Sequence, residues 1–337
     1  MSDQGKRSTV LVTGATGFIG GHLVRRLLHD GWHVRILART PSDVPEDFDE
    51  QCDIIKGDLA DTNALSRAVA NIEVIFHCAA NVKTWDTWEA YYQVNVVGVR
   101  NLLEAIVTFN PVLKRLVHVS TVDVYGYPTE PCTEDANMFG GGFGYGESKC
   151  LGEALVRSVG KEKGIPFTII RPTNVIGPGS QFIARLGCEL QSGIMLTVDD
   201  GHANAGLVFV DNLVNYMLWA ALSEKAKDET YNIRDPYDIT WKEFLVKFRA
   251  AIQGKGLIIN FSMSIAMAVA RLMAETYKVC KIRREPLLHP LIVCMFGRTC
   301  GHDARKIRAH SEILSGHDFN QAMMHSVNWF MAHHTKH

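Results

Sequence analysis

A glycine-rich segment near the start of the chain, residues 13–20, constrains the fold most strongly. It reads Thr-Gly-Ala-Thr-Gly-Phe-Ile-Gly and follows the apolar run 10–12. It precedes the helical apolar pattern Leu23, Val24, Leu27 and Leu28. A strand, a glycine-rich turn and a helix in this order present backbone N–H groups to a pyrophosphate. Spaced glycines alone are a weak signal, but this context predicts a dinucleotide site rather than a plain turn.

Within this segment the three glycines have different expected roles. Gly14 is expected to permit the tight turn, Gly17 to let the backbone approach the phosphates, and Gly20 to let the helix pack closely. The residues assigned to the cofactor from this segment are Gly14, Thr16, Gly17, Phe18, Ile19 and Gly20.

Strand and helix patterns alternate from residue 10 to residue 172. Strands are predicted at 10–12, 32–37, 52–59, 74–80, 116–120 and 167–172, and helices at 65–72, 87–109 and 145–163 in addition to the one after the glycines. Alternation of this kind predicts right-handed crossovers and a parallel sheet. The fold class is therefore α/β, a Rossmann-type doubly wound parallel sheet with a smaller, interleaved C-terminal substrate portion.

After Pro172 the alternation weakens, which predicts a cofactor domain at 1–172 and a substrate-binding portion at 173–337. Residues 207–211 look like a short strand that returns to the sheet, so that 207–221 belongs with the first domain. Helices are predicted at 212–221 and 241–251.

Residues 257–274 are almost wholly apolar, but Asn260, Ser262, Ser264 and Arg271 interrupt them, which is unfavourable for a membrane-spanning helix. One interpretation is a core or pocket-lining helix. The other is a helix lying in a membrane interface, with peripheral contact through 257–284, because four basic residues follow it: Lys278, Lys281, Arg283 and Arg284.

The balance of charge argues against nucleic acid as a partner, because 35 basic and 36 acidic side chains give a net charge of -1. The 8 cysteines form no Cys-x-x-Cys pair, and the polar start at 1–9 fits no signal peptide, which predicts a reducing, cytoplasmic location. The spacing of His289, Cys294, Cys300 and His302 matches no zinc pattern, so no metal site is expected.

A second constellation, Tyr145 and Lys149, is typical of proton transfer. The two residues are four apart on a predicted helix and share a face. A nearby ammonium group stabilises phenolate and lowers the pKa of the tyrosine from about 10, which makes proton exchange feasible near neutrality. A surface tyrosine and lysine at this spacing would be the simpler interpretation, but a strand ending in Ser120-Thr121 precedes Tyr145 by 24 residues.

These features together resemble the extended short-chain dehydrogenase/reductase family. The matching pieces are residues 13–20, 57–59, 77–80, 95–98, Ser120-Thr121, the Tyr145/Lys149 pair and Arg171-Pro172. The resemblance implies a catalytic set of Thr121, Tyr145, Lys149, Ser120 and Asn95, in which Thr121 is favoured over Ser120 as the hydroxyl that polarises a carbonyl. It implies that Asn95 helps to position the lysine and a water molecule. It also implies cofactor contacts from Asp58 and Leu59 at the adenine, from Cys78, Ala79 and Ala80 at the nicotinamide ribose, and from Tyr145, Lys149, Pro172, Asn174 and Val175.

The end of the second strand favours NADP over NAD. An NAD site has a carboxylate there for the ribose 2′-hydroxyl, but this chain has Ala38. Arg39 can instead bind a 2′-phosphate through charge-assisted hydrogen bonds, together with Thr40 or Ser42. An exposed loop arginine is the alternative interpretation of Arg39.

Within that family the chain looks most similar to the 3β-hydroxysteroid dehydrogenase-like branch, on residues 81–82, 119–124 and 303–306 and the apolar stretch. Members that bind nucleotide sugars need basic groups for a diphosphate, but Arg185 is the one basic residue between Ile176 and Gly201. The expected activity is therefore NADP-dependent interconversion of a ketone and a secondary alcohol on a bulky apolar, steroid- or sterol-like substrate. The alternatives are reduction of an aldehyde, a dihydroflavonol-like ketone or a β-keto acyl chain, and a non-catalytic NADP-sensing module.

The substrate is expected at the carboxyl ends of the strands, with contacts from Asn81, Trp85 and Phe143. The alternative for Trp85 is simple packing against the helix at 87–109. The family resemblance also implies a homodimer formed through the helices at 87–109 and 145–163.

Overall fold

The computed structural model describes residues 8–282, 284–313 and 316–334. Two expectations depend in part on residues outside these ranges. The absence of a signal peptide depends on residues 1–7, and the basic cluster after the apolar stretch includes Arg283. The strands are β1 Thr9–Thr13, β2 His33–Ala38, β3 Cys52–Lys56, β4 Val74–His77, β5 Arg115–Val119, β6 Phe167–Pro172, β7 Asn174–Ile176, β8 Ile194–Val198, β9 Leu207–Phe209, β10 Glu229–Ile233 and β11 Leu257–Phe261. The helices are α1 Phe18–His29, α2 Glu46–Asp49, α3 Thr62–Val69, α4 Trp88–Tyr92, α5 Gly98–Phe109, α6 Gly144–Lys163, α7 Gln181–Ser192, α8 Val210–Leu222, α9 Trp241–Ala251, α10 Met263–Val279, α11 Pro290–Gly297, α12 Arg305–Ser311 and α13 Phe319–His334.

A seven-stranded parallel sheet forms the centre of the molecule, in the order β10-β6-β5-β4-β1-β2-β3. The strand order reverses between β1 and β4, which is where ligands bind in open sheets of this kind. This architecture confirms the predicted fold class.

Successive strand residues point to opposite faces of the sheet and supply two separate cores. Val10 and Val117 lie on the face covered by α1 and α8, whereas Leu11 and Leu116 lie on the face covered by α3, α5 and α6. Both faces are therefore buried, which explains the nearly continuous apolar runs of the central strands.

The C-terminal portion has its own core, built around aromatic residues of α9 and α13. Trp241, Phe244, Phe248 and Phe330 are fully buried there. Two small parallel sheets, β8 with β11 and β7 with β9, contribute side chains to this core.

The prediction that residues 207–211 return to the central sheet is wrong. The edge beside β6 is already occupied by β10, with Tyr231 opposite Ile170, so β9 pairs with β7 instead. Helix α8, which comes directly after β9, does belong with the first domain, because it packs on the central sheet. The sequence prediction also missed β10 itself.

Residues 257–274 are not one helix. They form β11, which pairs with β8, and most of α10, and the Ser262 side chain caps the helix by accepting a hydrogen bond from the Ile265 N–H. Among the described residues no helix is long and apolar enough to cross a membrane.

Candidate active site

The glycine-rich turn has the close contacts that were expected from its sequence. Gly14 has a φ of +72°, and a Cβ atom at this position would lie 2.7 Å from the backbone nitrogen of Ala79. A Cβ atom on Gly20 would lie 2.1 Å from the carbonyl oxygen of Gly14. Side chains at either position would push the turn away from β4 or α1, which explains why glycine is required.

The first turn of α1 is open to a ligand. Helices α3, α7, α9 and α10 each have a capping side chain, from Asp61, Ser180, Thr240 and Ser262 respectively. By contrast, Gly17 precedes α1 and supplies no side-chain cap. Thr16 and Gly17 are exposed, whereas Phe18 and Ile19 are half-buried. Uncapped N–H groups at a helix N-terminus bind phosphate well, so these residues fit a pyrophosphate.

The residues expected near the adenosine lie at the ends of β2 and β3. Arg39, Thr40 and Ser42 are exposed, and no hydrogen bond or ion pair within the described part of the chain holds the Arg39 guanidinium. The Asp58 carboxylate accepts hydrogen bonds from the N–H groups of Ala60 and Asp61 through one oxygen. Its other oxygen is left for a ligand.

The remaining expected cofactor residues follow β4 and β6. Cys78, Ala79 and Ala80 are half-buried beside the glycine turn. Pro172 ends β6, while the Asn174 side chain donates to the Ala205 carbonyl oxygen at 2.7 Å and has a structural role. Val175 lines a cavity together with Gly17 and Phe18.

Lys149 lies beneath the site on α6, and its ammonium group donates to the Val119 carbonyl oxygen at 2.7 Å. Burial lowers the pKa of Lys149 to about 8, although Glu153 partly opposes this. Burial raises the pKa of Tyr145 above its usual value, and the lysine is not among the groups that lower it. Burial thus outweighs the expected lowering of the tyrosine pKa, and the ammonium group of Lys149 binds a backbone carbonyl oxygen.

Thr121, and not Ser120, is brought together with Tyr145. The Thr121 side chain is close enough to Tyr145 to lower the pKa of its phenol, in opposition to burial. The hydroxyl oxygen of Thr121 also accepts the Asp123 N–H at 3.1 Å. Ser120 is buried, and its hydroxyl has no hydrogen-bond partner among the described residues.

Asn95 connects the loop after β4 to the catalytic helix through Ser148, a residue that sequence reasoning did not find. The Asn95 amide donates to the Ser148 hydroxyl at 2.9 Å and to the Asn81 carbonyl oxygen at 3.0 Å. Ser148 in turn donates to the Tyr145 carbonyl oxygen at 2.7 Å. Asn95 lies in a π-helical turn, Gln93–Val97, between α4 and α5. Turns of this kind are frequent at functional sites. The one feature of the sequence that could have pointed to Ser148 is its position three residues after Tyr145 on the same helix.

Asp123 is a second residue that sequence reasoning did not find. Burial raises the pKa of this carboxyl to about 6, partly opposed by hydrogen bonds with Tyr127 and Thr121. It thus lies one hydrogen bond from the hydroxyl group that contacts Tyr145. Nothing in the local sequence distinguishes it from an ordinary surface aspartate.

Two cavities meet at the loop after β4. The larger, of about 780 Å³, is lined mainly by apolar side chains of α7, β8 and α11, and the smaller, of about 490 Å³, contains Tyr145 and Phe143. Trp85 and Thr84 line both. The Trp85 ring lies 5.3 Å from the ring of His289 between centroids, so it contacts the C-terminal portion. Asn81 instead donates to the Asp86 carboxylate within its own loop.

A polar cluster around Glu285 holds the wall between the cavities. The Glu285 carboxylate accepts hydrogen bonds from Arg185 at 2.8 Å, Thr84 at 2.6 Å and His289 at 3.0 Å. Burial alone would raise the pKa of Glu285, but these donors outweigh it and lower the pKa to about 2. Arg185 also contacts Glu189 at 3.2 Å, so its charge is neutralised from two sides.

His289, Cys294, Cys300 and His302 do not form a metal site. No group of three or more potential ligands is placed to hold a metal ion in the part of the chain that the structure describes. The His302 ring accepts the Cys132 N–H at 3.0 Å, whereas His289 belongs to the Glu285 cluster.

Comparison with known proteins agrees with this geometry. Residues 10–233 match the model of the NAD dependent epimerase/dehydratase family. A 2-alkyl-3-oxoalkanoate reductase of Stenotrophomonas maltophilia is 28% identical over 289 residues, 83% of this chain and 86% of that protein. A 3 beta-hydroxysteroid dehydrogenase/Delta 5-->4-isomerase of Mycobacterium tuberculosis is 30% identical over 256 residues, 70% of this chain and 67% of that protein.

The fold is also that of a solved structure, MoeE5 in complex with UDP-glucuronic acid and NAD. The two chains superpose with a TM-score of 0.76 at 23% identity, over 96% of this chain and 99% of the other. The family match, covering the glycine turn, the central sheet and the Tyr145/Lys149 pair, shows that the chain belongs to the NAD dependent epimerase/dehydratase family of extended short-chain dehydrogenases/reductases.

Proposed function

We propose that this protein is an NADP-dependent oxidoreductase that interconverts a ketone and a secondary alcohol on a bulky, mainly apolar substrate of the steroid or sterol kind. The bound nicotinamide would supply or accept the hydride. In the reductive direction Tyr145 would give its proton to the carbonyl oxygen, which also accepts a hydrogen bond from Thr121. Lys149 would support the phenolate that is left, once its ammonium group turns from the Val119 carbonyl oxygen toward the site.

The neutralised Arg185 in an apolar cavity is the observation that carries the substrate class. Arg185 is bound by Glu285 and Glu189 and has no charge left over for a diphosphate. The rest of the larger cavity is lined chiefly by residues such as Phe182, Leu196 and Phe296. A nucleotide sugar would leave its phosphates unpaired here, whereas a ring system or acyl chain would bury apolar area.

A β-keto acyl substrate is the second candidate, because the reductase of Stenotrophomonas maltophilia acts by its name on 2-alkyl-3-oxoalkanoates. The cavity of about 780 Å³ would also hold an alkyl chain. Lys83 also lines the cavity but is paired with Asp86 at 3.3 Å, so it would have to leave that carboxylate to contact the carboxylate of such a substrate.

Cofactor preference is proposed from the end of β2. The exposed Arg39 follows Ala38 and has no internal partner among the described residues, which suits a 2′-phosphate. An acidic side chain at residue 38 would instead suit the 2′-hydroxyl of NAD.

We also propose a homodimer formed through α5 and α6. Leu151 on α6 and Phe109 at the end of α5 are large exposed apolar side chains on these helices. A second copy would cover them, and light scattering should then report twice the 37.5 kDa of one chain.

The test is NADPH oxidation measured against steroid ketones, 2-alkyl-3-oxo acids and nucleotide sugars. We expect turnover of one of the first two classes and loss of that turnover in Tyr145→Phe. Turnover or tight binding of nucleotide sugars, with no activity on apolar ketones, would contradict the proposal. Trp85→Ala tests whether Trp85 contacts the substrate or only supports the fold. If it contacts the substrate, the change should raise the Michaelis constant more for a bulky ketone than for a small one.

A further inference from the structure

Helix α10 exposes an apolar stripe instead of burying it. Ile265, Val269, Leu272 and Val279 recur at helical spacing, and the side chains of Leu272 and Val279 are 72% and 79% exposed. The opposite side of the helix, with Ala266, Ala270 and Ala274, is buried against the C-terminal core. The four exposed residues are called the α10 stripe below. A soluble helix normally shows charged residues on its outer face, so the α10 stripe needs an occupant.

Exposed apolar side chains continue on both sides of the α10 stripe. Strand β11 leads directly into α10, and its Leu257 is exposed beside its register partner, the exposed Ile194 of β8. Ile282 and Leu287, which come after α10, are exposed as well.

The charge around the α10 stripe is positive. Arg271, Lys278, Lys281 and Arg284 are all exposed. Glu275 is the one acidic residue of the sequence from 262 to 284, and it is paired with Lys278 at 2.9 Å. On a chain whose net charge is -1, this segment carries an excess of positive charge along the sequence, and Asp86 and Glu147 line the smaller cavity together with Arg271 and Lys278. Apolar residues flanked by lysine and arginine are complementary to an anionic lipid surface.

The same segment forms the openings of both cavities. Arg271, Ala274 and Lys278 line the smaller cavity, which contains Tyr145. Ile194 and Leu287 line the larger cavity and are also exposed at the surface. At about 3.6 residues per turn, the α10 residues that line the smaller cavity lie on a different face of the helix from the α10 stripe. Ile194 and Leu287, by contrast, join the exposed apolar surface to the wall of the larger cavity.

We propose that the α10 stripe and its flanking basic residues dock the protein on an anionic phospholipid bilayer, with Ile194 and Leu287 of the larger cavity at the lipid surface. Docking means lying in the interface, since no described helix is long and apolar enough to span it. A second copy of the chain fits this surface less well. An isologous contact here would place the same surface, with Arg271, Lys278, Lys281 and Arg284, on both sides of the interface, so that positive charge would face positive charge.

The test uses the full-length protein without substrate or cofactor, so that its result is independent of the proposed activity. Co-sedimentation is compared between vesicles of phosphatidylcholine alone and vesicles containing about 30% phosphatidylglycerol, at low and high salt. The double variant Leu272→Ser with Val279→Ser removes the apolar contact. The matched control is Val112→Ser with Val246→Ser, which changes two exposed valines outside this surface. A Lys281→Gln with Arg284→Gln variant removes two of the charges.

We expect the wild type to bind the anionic vesicles at least ~10-fold more strongly than the neutral ones, and salt to weaken this binding. The Leu272/Val279 variant should lose at least ~10-fold in binding, while the valine control binds as the wild type does. The charge variant should lose the preference for anionic lipid. Unchanged urea midpoints would show that the variants are folded.

Three results would overturn the proposal. They are failure of the wild type to bind either vesicle, equal loss in the valine control, and a dimer in light scattering that disappears in the Leu272/Val279 variant. The last result would assign the surface to a second copy.

Discussion

Replacing Glu285 by glutamine should destabilise the protein at neutral pH, because one carboxylate holds three elements together. It accepts hydrogen bonds from Arg185 on α7, Thr84 in the loop after β4 and His289 before α11. Its pKa is lowered from 4.5 to about 2. At about 1.4 kcal/mol for each pH unit this corresponds to at most ~3–4 kcal/mol. The side chain is 33% exposed, so solvent screening reduces the expected loss to about 1–2 kcal/mol.

The measurement is urea unfolding of wild type and Glu285→Gln at several pH values. Glu275→Gln is the matched control, because this carboxylate pairs with Lys278 on the surface and is 67% exposed. Its removal should change stability by less than ~0.5 kcal/mol. A lowered carboxyl pKa contributes stability above the unfolded value, and that contribution is lost as the pH falls. The difference between wild type and Glu285→Gln should therefore shrink from pH 5 toward the folded pKa of about 2.

Two outcomes would refute this reasoning. Equal losses in Glu285→Gln and Glu275→Gln would mean that the buried cluster is worth no more than a surface pair. A loss in Glu285→Gln that does not change with pH would mean that it comes from shape or packing and not from the charge.

Three further predictions concern the catalytic and cofactor residues. Tyr145→Phe should lower turnover at least ~10²-fold with nearly unchanged NADPH affinity, and wild-type turnover would exclude the assigned acid. Asp123→Asn should stabilise the fold at pH 7 by at most ~3 kcal/mol. The pKa of Asp123 is about 6 in the folded state against 3.8 in the unfolded state, so the wild type loses stability as the pH rises from about 4 to about 6. If Asp123→Asn were still more stable than the wild type below pH 4, the gain would not come from removing the buried charge. Arg39→Ala with Ala38→Asp should shift preference toward NADH by roughly ten- to hundredfold in titrations, unless the unmodified protein already prefers NADH.

Local pattern was sufficient for most of the central sheet. The strand predicted at 167–172 and the helix predicted at 241–251 have those bounds, as β6 and α9. The seventh strand, β10, was missed because Thr230 and Asn232 give it a polar appearance. Asn232 is buried because its side chain donates to the carbonyl oxygens of Cys132 and Asp303, both more than seventy residues away. Partners at that distance along the chain leave no local signal.

Hydropathy alone could not divide residues 257–274 into a strand and a helix. An apolar run is compatible with either element, and the division depends on β8 offering a free edge to Leu257–Phe261. The cap at Ser262 is visible in the sequence, since serine before an apolar run is a helix start. In the sequence alone, Ser262 counts only as one of the polar residues that interrupt the apolar run at 257–274.

In the site, residues with a family pattern were found and residues whose role depends on distant partners were not. Tyr145, Lys149 and Thr121 are recognisable by spacing. Glu285 becomes important only because the fold brings it to Thr84, 201 residues away, and to Arg185, 100 residues away. Asp123 is perturbed by its burial, which its neighbours in sequence do not reveal.

The charge that a cavity offers to a substrate is the charge that remains after its side chains have paired with each other. In the sequence, Arg185 counts as one basic group that a diphosphate could use. In the structure it is bound by Glu285 and Glu189. The sequence from 262 to 284, by contrast, carries one acidic residue, Glu275, which pairs with Lys278. The arginine inside the larger cavity is thus paired, whereas basic residues of α10 and the segment after it remain exposed on the surface. An apolar molecule would be accepted inside and an anionic surface attracted outside, so the proposed substrate class and the proposed lipid contact depend on the same distribution of charge.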